Sequence, residues 1–467
     1  MQLRRHPFRL IALVLALALL ATACVLGPIA GPGQIALSSG IDVADVDYQR
    51  SEFFLVETAK SYSSADPLSA DGRWTVTADE LEEPFWTRLV VHRPVDPADF
   101  DGTVVVEWLN VTAGADLPND WVTAHNRMIR EGHAWVGVSA QAVGVNAVKA
   151  NDPTRYGHLF HPGDSYSYDI FSQAGQAIRD VPKILGNDLD VEVLLATGES
   201  QSASRLVTYV NAVHPIDGIY DGYMIHSRGS GGSSLRQDPL DPIATPRPGL
   251  LRDDLDVPVM VVQSEDDVIR SNLGIRQPDT PLYRSWEMAG TAHADSYTIN
   301  AGYRDIGDGS GTAEMFDYLI DPQDAGCTKP VNAGPHWLIL QAAFAGLEHW
   351  VRSGVAPPVG PPLDTESTDP TVLARDQWGN ALGGIRSPHV EVPIATIDGL
   401  NSGFSFCRLF GSTTPLSAAQ LAALYPTHDD FVTAWTASLD ATIAAGFILP
   451  EDRADLVAAA EASTIGG

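Results

Sequence analysis

Lysine and cysteine are both scarce in this chain. Only Lys60, Lys149, Lys183 and Lys329 occur in 467 residues, and lysine plus arginine total 29 against 59 aspartates and glutamates, a formal charge of −30. A surface of that sign repels phosphate backbones, which excludes nucleic acid as a partner and gives a mild bias toward neutral or cationic substrates. The three cysteines, Cys24, Cys327 and Cys407, form no C-x-x-C pair. H-E-x-x-H and G-x-x-x-x-G-K-[ST] are missing as well. Gly229-Ser230-Gly231-Gly232 lacks a third glycine at the dinucleotide spacing, and Asp305-Ile306-Gly307-Asp308-Gly309 lacks the acid spacing of a calcium loop. No catalytic metal, cofactor or nucleotide is therefore expected. Beyond residue 30 no apolar run approaches the roughly 20 residues that cross a bilayer.

The amino terminus is different. Arg4, Arg5 and Arg9 precede the apolar run Leu10 to Leu20 and then Ala21-Thr22-Ala23-Cys24, the pattern of a secretory signal over 1–23. A cysteine directly after small residues is similar to a bacterial lipobox, so Cys24 is expected to carry lipid. The protein would then be exported and held on the extracytoplasmic face of the bacterial cell membrane by that anchor alone; with plain cleavage after Ala23 it would be secreted. Export implies an oxidising compartment, where Cys327 and Cys407 make an even pair expected to form a disulfide.

From residue 89 to 267 short apolar runs alternate with amphipathic ones: 89–91, 104–108, 134–139, 191–196, 220–225 and 257–262 against 120–131, 168–184 and 202–214. Continuous apolar strands separated by helices predict an α/β fold with a mostly parallel sheet covered on both faces. One domain over 33–467 is expected. Three stretches rich in Gly, Pro, Asp and Ser break the alternation, 227–256, 295–335 and 357–415, and loops of that length suggest cap material over a site. Two helical stretches after 417 are expected as packing.

The run Val191 to Ala196 followed by Thr197-Gly198-Glu199-Ser200-Gln201-Ser202 has the form of a nucleophile elbow. A serine at a sharp strand-to-helix turn lifts its hydroxyl above the sheet, where the first helical N–H groups and the helix dipole favour an oxyanion. The usual last position is glycine, and Ser202 stands there; the bland alternative is that Ser200 caps a helix. An elbow serine needs a base and an acid, in the order serine, acid, histidine. Gln263-Ser264-Glu265-Asp266-Asp267 follows a buried run and supplies Asp267 as acid, with Glu265 as the competitor. Tyr283 to Met288 reads as a last strand, and Ala289-Gly290-Thr291-Ala292-His293 places His293 as base. His336 is the rival histidine, but Pro335-His336-Trp337 reads as a helix start. Backbone N–H groups of Gln201 and of Val111 or Thr112 are expected to form the oxyanion hole, with Asn110 shaping the loop.

The whole chain from about residue 43 resembles the bacterial and fungal "alpha/beta hydrolase domain-containing" family of the α/β-hydrolase fold. The likeness rests on VVEWLNV at 105–111, AWVGVSAQ at 134–141, HPGDSYSYDIFSQA at 161–174, GESQS at 198–202, GTAHAD at 290–295 and FCRLFGST at 406–413. It implies the fold and the hydrolase class, including the Ser202 spelling, but no substrate. The expectation is a serine hydrolase cleaving a small-molecule carboxylic ester through Ser200, His293 and Asp267. The same triad on an amide, peptide or thioester bond, and a non-catalytic surface lipoprotein that binds a ligand on this fold, remain open.

Overall fold

A computed structural model describes residues 24–467 except 31–33, 38, 39, 188 and 272; the expected signal at 1–23 lies outside the described residues. The centre is a nine-stranded sheet: β1 (Cys24–Leu26), β2 (Tyr48–Ser63), β3 (Thr77–Pro94), β4 (Thr103–Trp108), β5 (Ala134–Val138), β6 (Val193–Glu199), β7 (Gly222–His226), β8 (Val259–Ser264) and β9 (Tyr283–Met288), in the order β1-β2-β3-β5-β4-β6-β7-β8-β9. From β5 to β9 every neighbouring pair is parallel, while β1, β2 and β3 join antiparallel at one edge. Alternate residues of one strand bury on opposite faces: Val104, Val106 and Trp108 enter one core and Val105 the other, and Leu194 and Ala196 oppose Val193 and Leu195. That double burial is why these strands read as unbroken apolar runs. Truncating one such side chain, for example Leu195→Ala, is expected to cost ~2–5 kcal/mol.

Helices Asn119–Arg130, Ser167–Asp180, Gln201–Thr208 and His336–Ser353 cover the two faces. Each expected strand and helix lies within a residue or a few of its observed element, but the long β2–β3 ribbon exceeds the short 89–91 run predicted there. The C-terminal part builds a third core from Met315, Phe316, Leu319, Phe431, Trp435 and Leu456. Three helices close the chain rather than two: Ala418–Leu424, His428–Ala444 and Arg453–Ala462.

The three stretches expected as irregular differ among themselves. No helix or strand forms over 227–256; Ser310–Ile320 is helical inside 295–335; 357–415 holds two small antiparallel ribbons, Thr365–Thr368 with Thr371–Leu373 and Ala395–Asp398 with Ser412–Pro415. Cys327 and Cys407 are disulfide-bonded, with Cα atoms 5.5 Å apart, and Cys24 is exposed and free. Among the described residues no helix is long and apolar enough to cross a membrane.

Candidate active site

β6 ends at Glu199, Ser200 takes φ 59° and ψ −110°, and the helix begins at Gln201. A non-glycine residue at positive φ is strained, by roughly 1–3 kcal/mol, and persists only where its surroundings impose it. Here Ser200 N–H donates to His226 O at 2.9 Å, which ties the turn to the end of β7. A Cβ on Gly198 would lie 3.0 Å from Ser202 Cβ, so the turn needs small groups at both positions, and serine meets that need at 202.

His293, the expected base, arrives from the turn after β9. Gly290 has φ 74°, and a Cβ there would meet Ile397 Cδ1 at 2.6 Å; the tight turn brings His293 over the strand ends. His293 Nε2 lies 2.8 Å from Ser200 Oγ, and Nδ1 lies 2.6 Å from Asp267 Oδ1. Asp267 sits in the first turn of the helix Glu265–Ser271, where Ser264 fixes it: Asp267 Oδ2 accepts from Ser264 N–H at 2.9 Å and from Ser264 O–H at 2.7 Å. Burial alone would raise the Asp267 carboxyl, but the imidazole and the Ser264 donors hold it well below the usual range.

The three neighbouring carboxylates separate because a helical turn fans successive side chains about 100° apart. Asp266 pairs with Arg270 at 2.7 Å. Glu265, the competing acid, turns away from His293: it accepts from Gly290 N–H at 2.5 Å and Gly399 N–H at 3.2 Å and pairs with Arg375 at 3.1 Å.

Glu199, unassigned in the sequence, also touches His293. Its Oε1 lies 3.0 Å from His293 Nε2, while Oε2 accepts from Asn110 Nδ2 at 3.0 Å and Asn119 Nδ2 at 2.7 Å. Burial works against charge on His293, but the carboxylates of Asp267 and Glu199 outweigh it and push the imidazolium pKa up to about 10. Beneath lies a second histidine chain. Thr197 Oγ1 donates to Asp120 Oδ2 at 2.6 Å, Asp120 Oδ1 accepts from His226 Nδ1 at 2.8 Å, His226 Nε2 meets His336 Nε2 at 2.6 Å, and His336 Nδ1 donates to Ala292 O at 2.9 Å. Burial, with the neighbouring His226, lowers His336 to about 3 and so keeps it neutral. His336 opens the helix His336–Ser353, as expected, and anchors the residue before His293 instead of replacing it.

Of the expected oxyanion donors, Gln201 supplies the first N–H of its helix, which has no intrahelical acceptor. Thr112 is corrected: its N–H donates to Asn110 Oδ1 at 2.8 Å, because Asn110 folds the loop over itself, and Val111 remains of the two. Asn110 also donates to Glu199 O at 2.9 Å, joining this loop to the elbow.

Two cavities flank Ser200. One, of about 480 Å³, is bordered by Ser227, Arg228, Arg247, Arg270 and Arg408; the other, of about 290 Å³, by Leu117, Ile299, Tyr303, Phe406, Leu409 and Phe410, with Glu199 at its floor. All three expected cap stretches contribute to these walls. For a metal, two clusters among the described residues bring three ligand atoms together. Asp266, Asp267 and His293 belong to the site above, and in Asp101, His133 and Glu348 the Glu348 carboxylate is already paired with Arg127 at 2.6 Å.

A family model described as "Alpha/beta hydrolase domain" matches residues 25–458. Among curated protein sequences none matches. Solved structures similar to this chain include fungal esterases from Rhizomucor miehei (11% identity, 38% of this chain and 45% of that one, TM-score 0.22). They include the esterase LipA from Xanthomonas oryzae (12%, 39% and 44%, 0.24) and a glucuronoyl esterase from Solibacter usitatus (9%, 52% and 71%, 0.25). The chain thus matches under half the length of the first two.

Proposed function

The chain belongs to the alpha/beta hydrolase domain family, and from that premise we propose that it is a serine hydrolase of carboxylic esters. The observation that carries this is the continuous contact from Ser200 Oγ to His293 Nε2, 2.8 Å, and from His293 Nδ1 to Asp267 Oδ1, 2.6 Å, at a strained strand-to-helix turn. In this mechanism Ser200 Oγ attacks the ester carbonyl as neutral His293 takes its proton. Asp267 holds the Nδ1–H tautomer and stabilises the imidazolium. The N–H groups of Gln201 and Val111 face the oxyanion, His293 returns the proton to the leaving alkoxide, and water cleaves the acyl-enzyme by the reverse steps. Asp267 first and Glu199 second hold the proton of the resting base to alkaline pH, and Glu199 also stabilises the charged imidazolium.

Labelling of the wild type, and not of Ser200→Ala, by a fluorophosphonate probe tests the nucleophile. An unlabelled wild type that still binds small esters would instead support a binding module. A panel of matched ester, thioester and amide substrates assigns the bond. We further propose export with lipid on Cys24, which is exposed and outside the disulfide. Incorporation of a palmitate analogue that is lost in Cys24→Ala is the corresponding test.

A further inference from the structure

The cavity that opens on Ser200 and His293 is lined by four arginines: Arg228 and Arg247 from the stretch after β7, Arg270 from the helix after β8, and Arg408 beside the disulfide. Three separate segments thus bring cations to one wall in a chain of formal charge −30. The carboxylate among the lining residues, Asp267, is already engaged by His293 and Ser264. Arg270 has its own partner in Asp266; Arg247 and Arg408 are exposed and make no ion pair among the described residues.

Arg228 is the most informative of the four. It is 1% exposed, yet among the described residues its guanidinium meets no carboxylate. It donates to the carbonyl oxygens of Gly229, at 3.2 Å, and Gly249. A buried charge without a counter-charge is costly, and burial accordingly lowers its pKa to about 10. Its backbone is clamped from both sides: Arg228 N–H donates to Gln263 Oε1 at 2.8 Å, and Gln263 Nε2 donates back to Arg228 O at 3.0 Å. Beside it Ser227 stands at φ 55° with a buried Oγ that has no hydrogen-bond partner among the described residues. Both residues border this cavity.

The second cavity offers the contrary environment, with apolar and aromatic walls and the negative Glu199. Resting on the ester-hydrolase function above, we propose that the substrate is an anionic ester, with a carboxylate or similar oxyanion on the arm that enters the arginine-lined cavity and an apolar arm opposite. This reverses the bias toward neutral or cationic substrates drawn from overall charge. Contacts at Arg forks act over a few ångströms, whereas the distant surface acids are screened within about 8 Å at physiological salt.

The test compares matched ester pairs on the full-length mature protein. Mono(4-nitrophenyl) glutarate against 4-nitrophenyl pentanoate puts the charge on the acyl arm; 3-(butyryloxy)benzoate against phenyl butyrate puts it on the alcohol arm. In one of the two pairs kcat/KM for the anionic member is expected to exceed that of the neutral one by roughly tenfold or more, the scale of a charge-assisted hydrogen bond. In Arg247→Ala/Arg408→Ala, whose side chains are exposed, that ratio should fall by a similar factor. Arg228→Gln should lower it further, and the exposed pair keeps the test decisive if that buried variant does not fold. Neutral esters turned over as fast as anionic ones in both pairs, or a ratio the double variant leaves in place, overturns the anion site while leaving the hydrolase function standing. No turnover of any ester and no fluorophosphonate labelling overturns both.

Discussion

Asp267 and Glu265 lie two residues apart on one helical turn and serve different parts of the molecule. Asp267 reaches His293 above the carboxyl ends of the sheet. Glu265 accepts from Gly290 N–H below the turn and ties it to Gly399 and Arg375 in the 357–415 stretch. Both are buried carboxylates with N–H donors, so burial and charge alone do not say which is chemical. The partner does: one acid faces a titrating ring in contact with a hydroxyl, the other faces backbone amides and a guanidinium that need a fixed acceptor. Substitutions on the sheet edge should therefore change rate at constant fold, and substitutions on the extension side should change stability or substrate binding at nearly constant chemistry.

The largest expected effect is at Ser200. Ser200→Ala should lower kcat by ~10⁴–10⁶, the scale of a broken triad, with the thermal midpoint within about 2 °C of wild type because little packing is removed. Ester turnover assayed beside thermal denaturation checks both halves. Residual activity within tenfold of wild type in folded protein would move the nucleophile elsewhere.

Next comes the pair itself. Asp267→Asn should cost on the order of 10⁴ in kcat by disturbing the His293 tautomer and leaving the imidazolium unsupported. Glu265→Gln should keep turnover within about tenfold and lose ~1–3 kcal/mol of stability, since an amide replaces the acceptor shared by Gly290 N–H, Gly399 N–H and Arg375. Kinetics with chemical denaturation on both variants gives the contrast, and a reversed order would make Glu265 the acid.

How much of this contrast is legible before folding depends on how local each signal is. The elbow, Asp267 and His293 each follow an apolar strand by a short fixed interval, so strand ends and spacing disclose them. Glu199 was in plain view inside GESQS, but its contact with His293 exists only because β6 and β9 bring their ends together across two intervening strands. The same holds for the Asp120–His226–His336 chain and for Arg228, which no run or spacing marks. The β2–β3 ribbon was hidden for another reason: its interior carries Glu52 and Arg88, paired at 3.2 Å, so polar residues interrupt the apolar pattern that identifies a buried strand. Inside 357–415 the ribbons have only three or four residues per strand, too few to show an alternation.

Glu199 sharpens the comparison from the side of Ser200. The imidazole must be neutral to take the serine proton, and with two carboxylates against it His293 holds its proton to alkaline pH. Asp266 and His336 also interact with it electrostatically. kcat/KM should thus rise with pH well above 7. Glu199→Gln removes the charge 3.0 Å from Nε2, so His293 deprotonates more easily and the rise should move down by about one unit or more. The alkaline plateau should drop, roughly tenfold, because the imidazolium of the transition state loses the same support. A stability profile gives an independent check of sign. A raised folded-state pKa contributes stability that is fully present below the ordinary histidine value of ~6.5 and is lost as pH rises through the folded value. Wild type should lose stability on going from neutral to alkaline pH, and Glu199→Gln should lose less; identical pH–rate profiles in the two proteins would deny Glu199 any influence on the base.

The smallest effect on chemistry is expected at the disulfide, and the reason is positional. Cys327 and Cys407 are 80 residues apart, and closing a loop of that length restricts the unfolded chain by up to ~4 kcal/mol. Cys327→Ser/Cys407→Ser should therefore lower the unfolding free energy by a few kcal/mol at most. Phe406, Arg408, Leu409 and Phe410 line the two cavities directly beside Cys407, so loosening this turn should raise KM severalfold. Ser200, Asp267 and His293 are held by His226, Ser264 and Gly290, and the turn beside Cys407 reaches the residue after His293, Ala294 N–H donating to Leu409 O at 3.0 Å, so kcat should stay within about threefold. Kinetics at a temperature where the variant is fully folded separates the two parameters. A fall in kcat comparable to that of Asp267→Asn would show that the extension holds the reacting groups themselves, and the division between the rate-setting edge of the sheet and the part that shapes the cavities would fail.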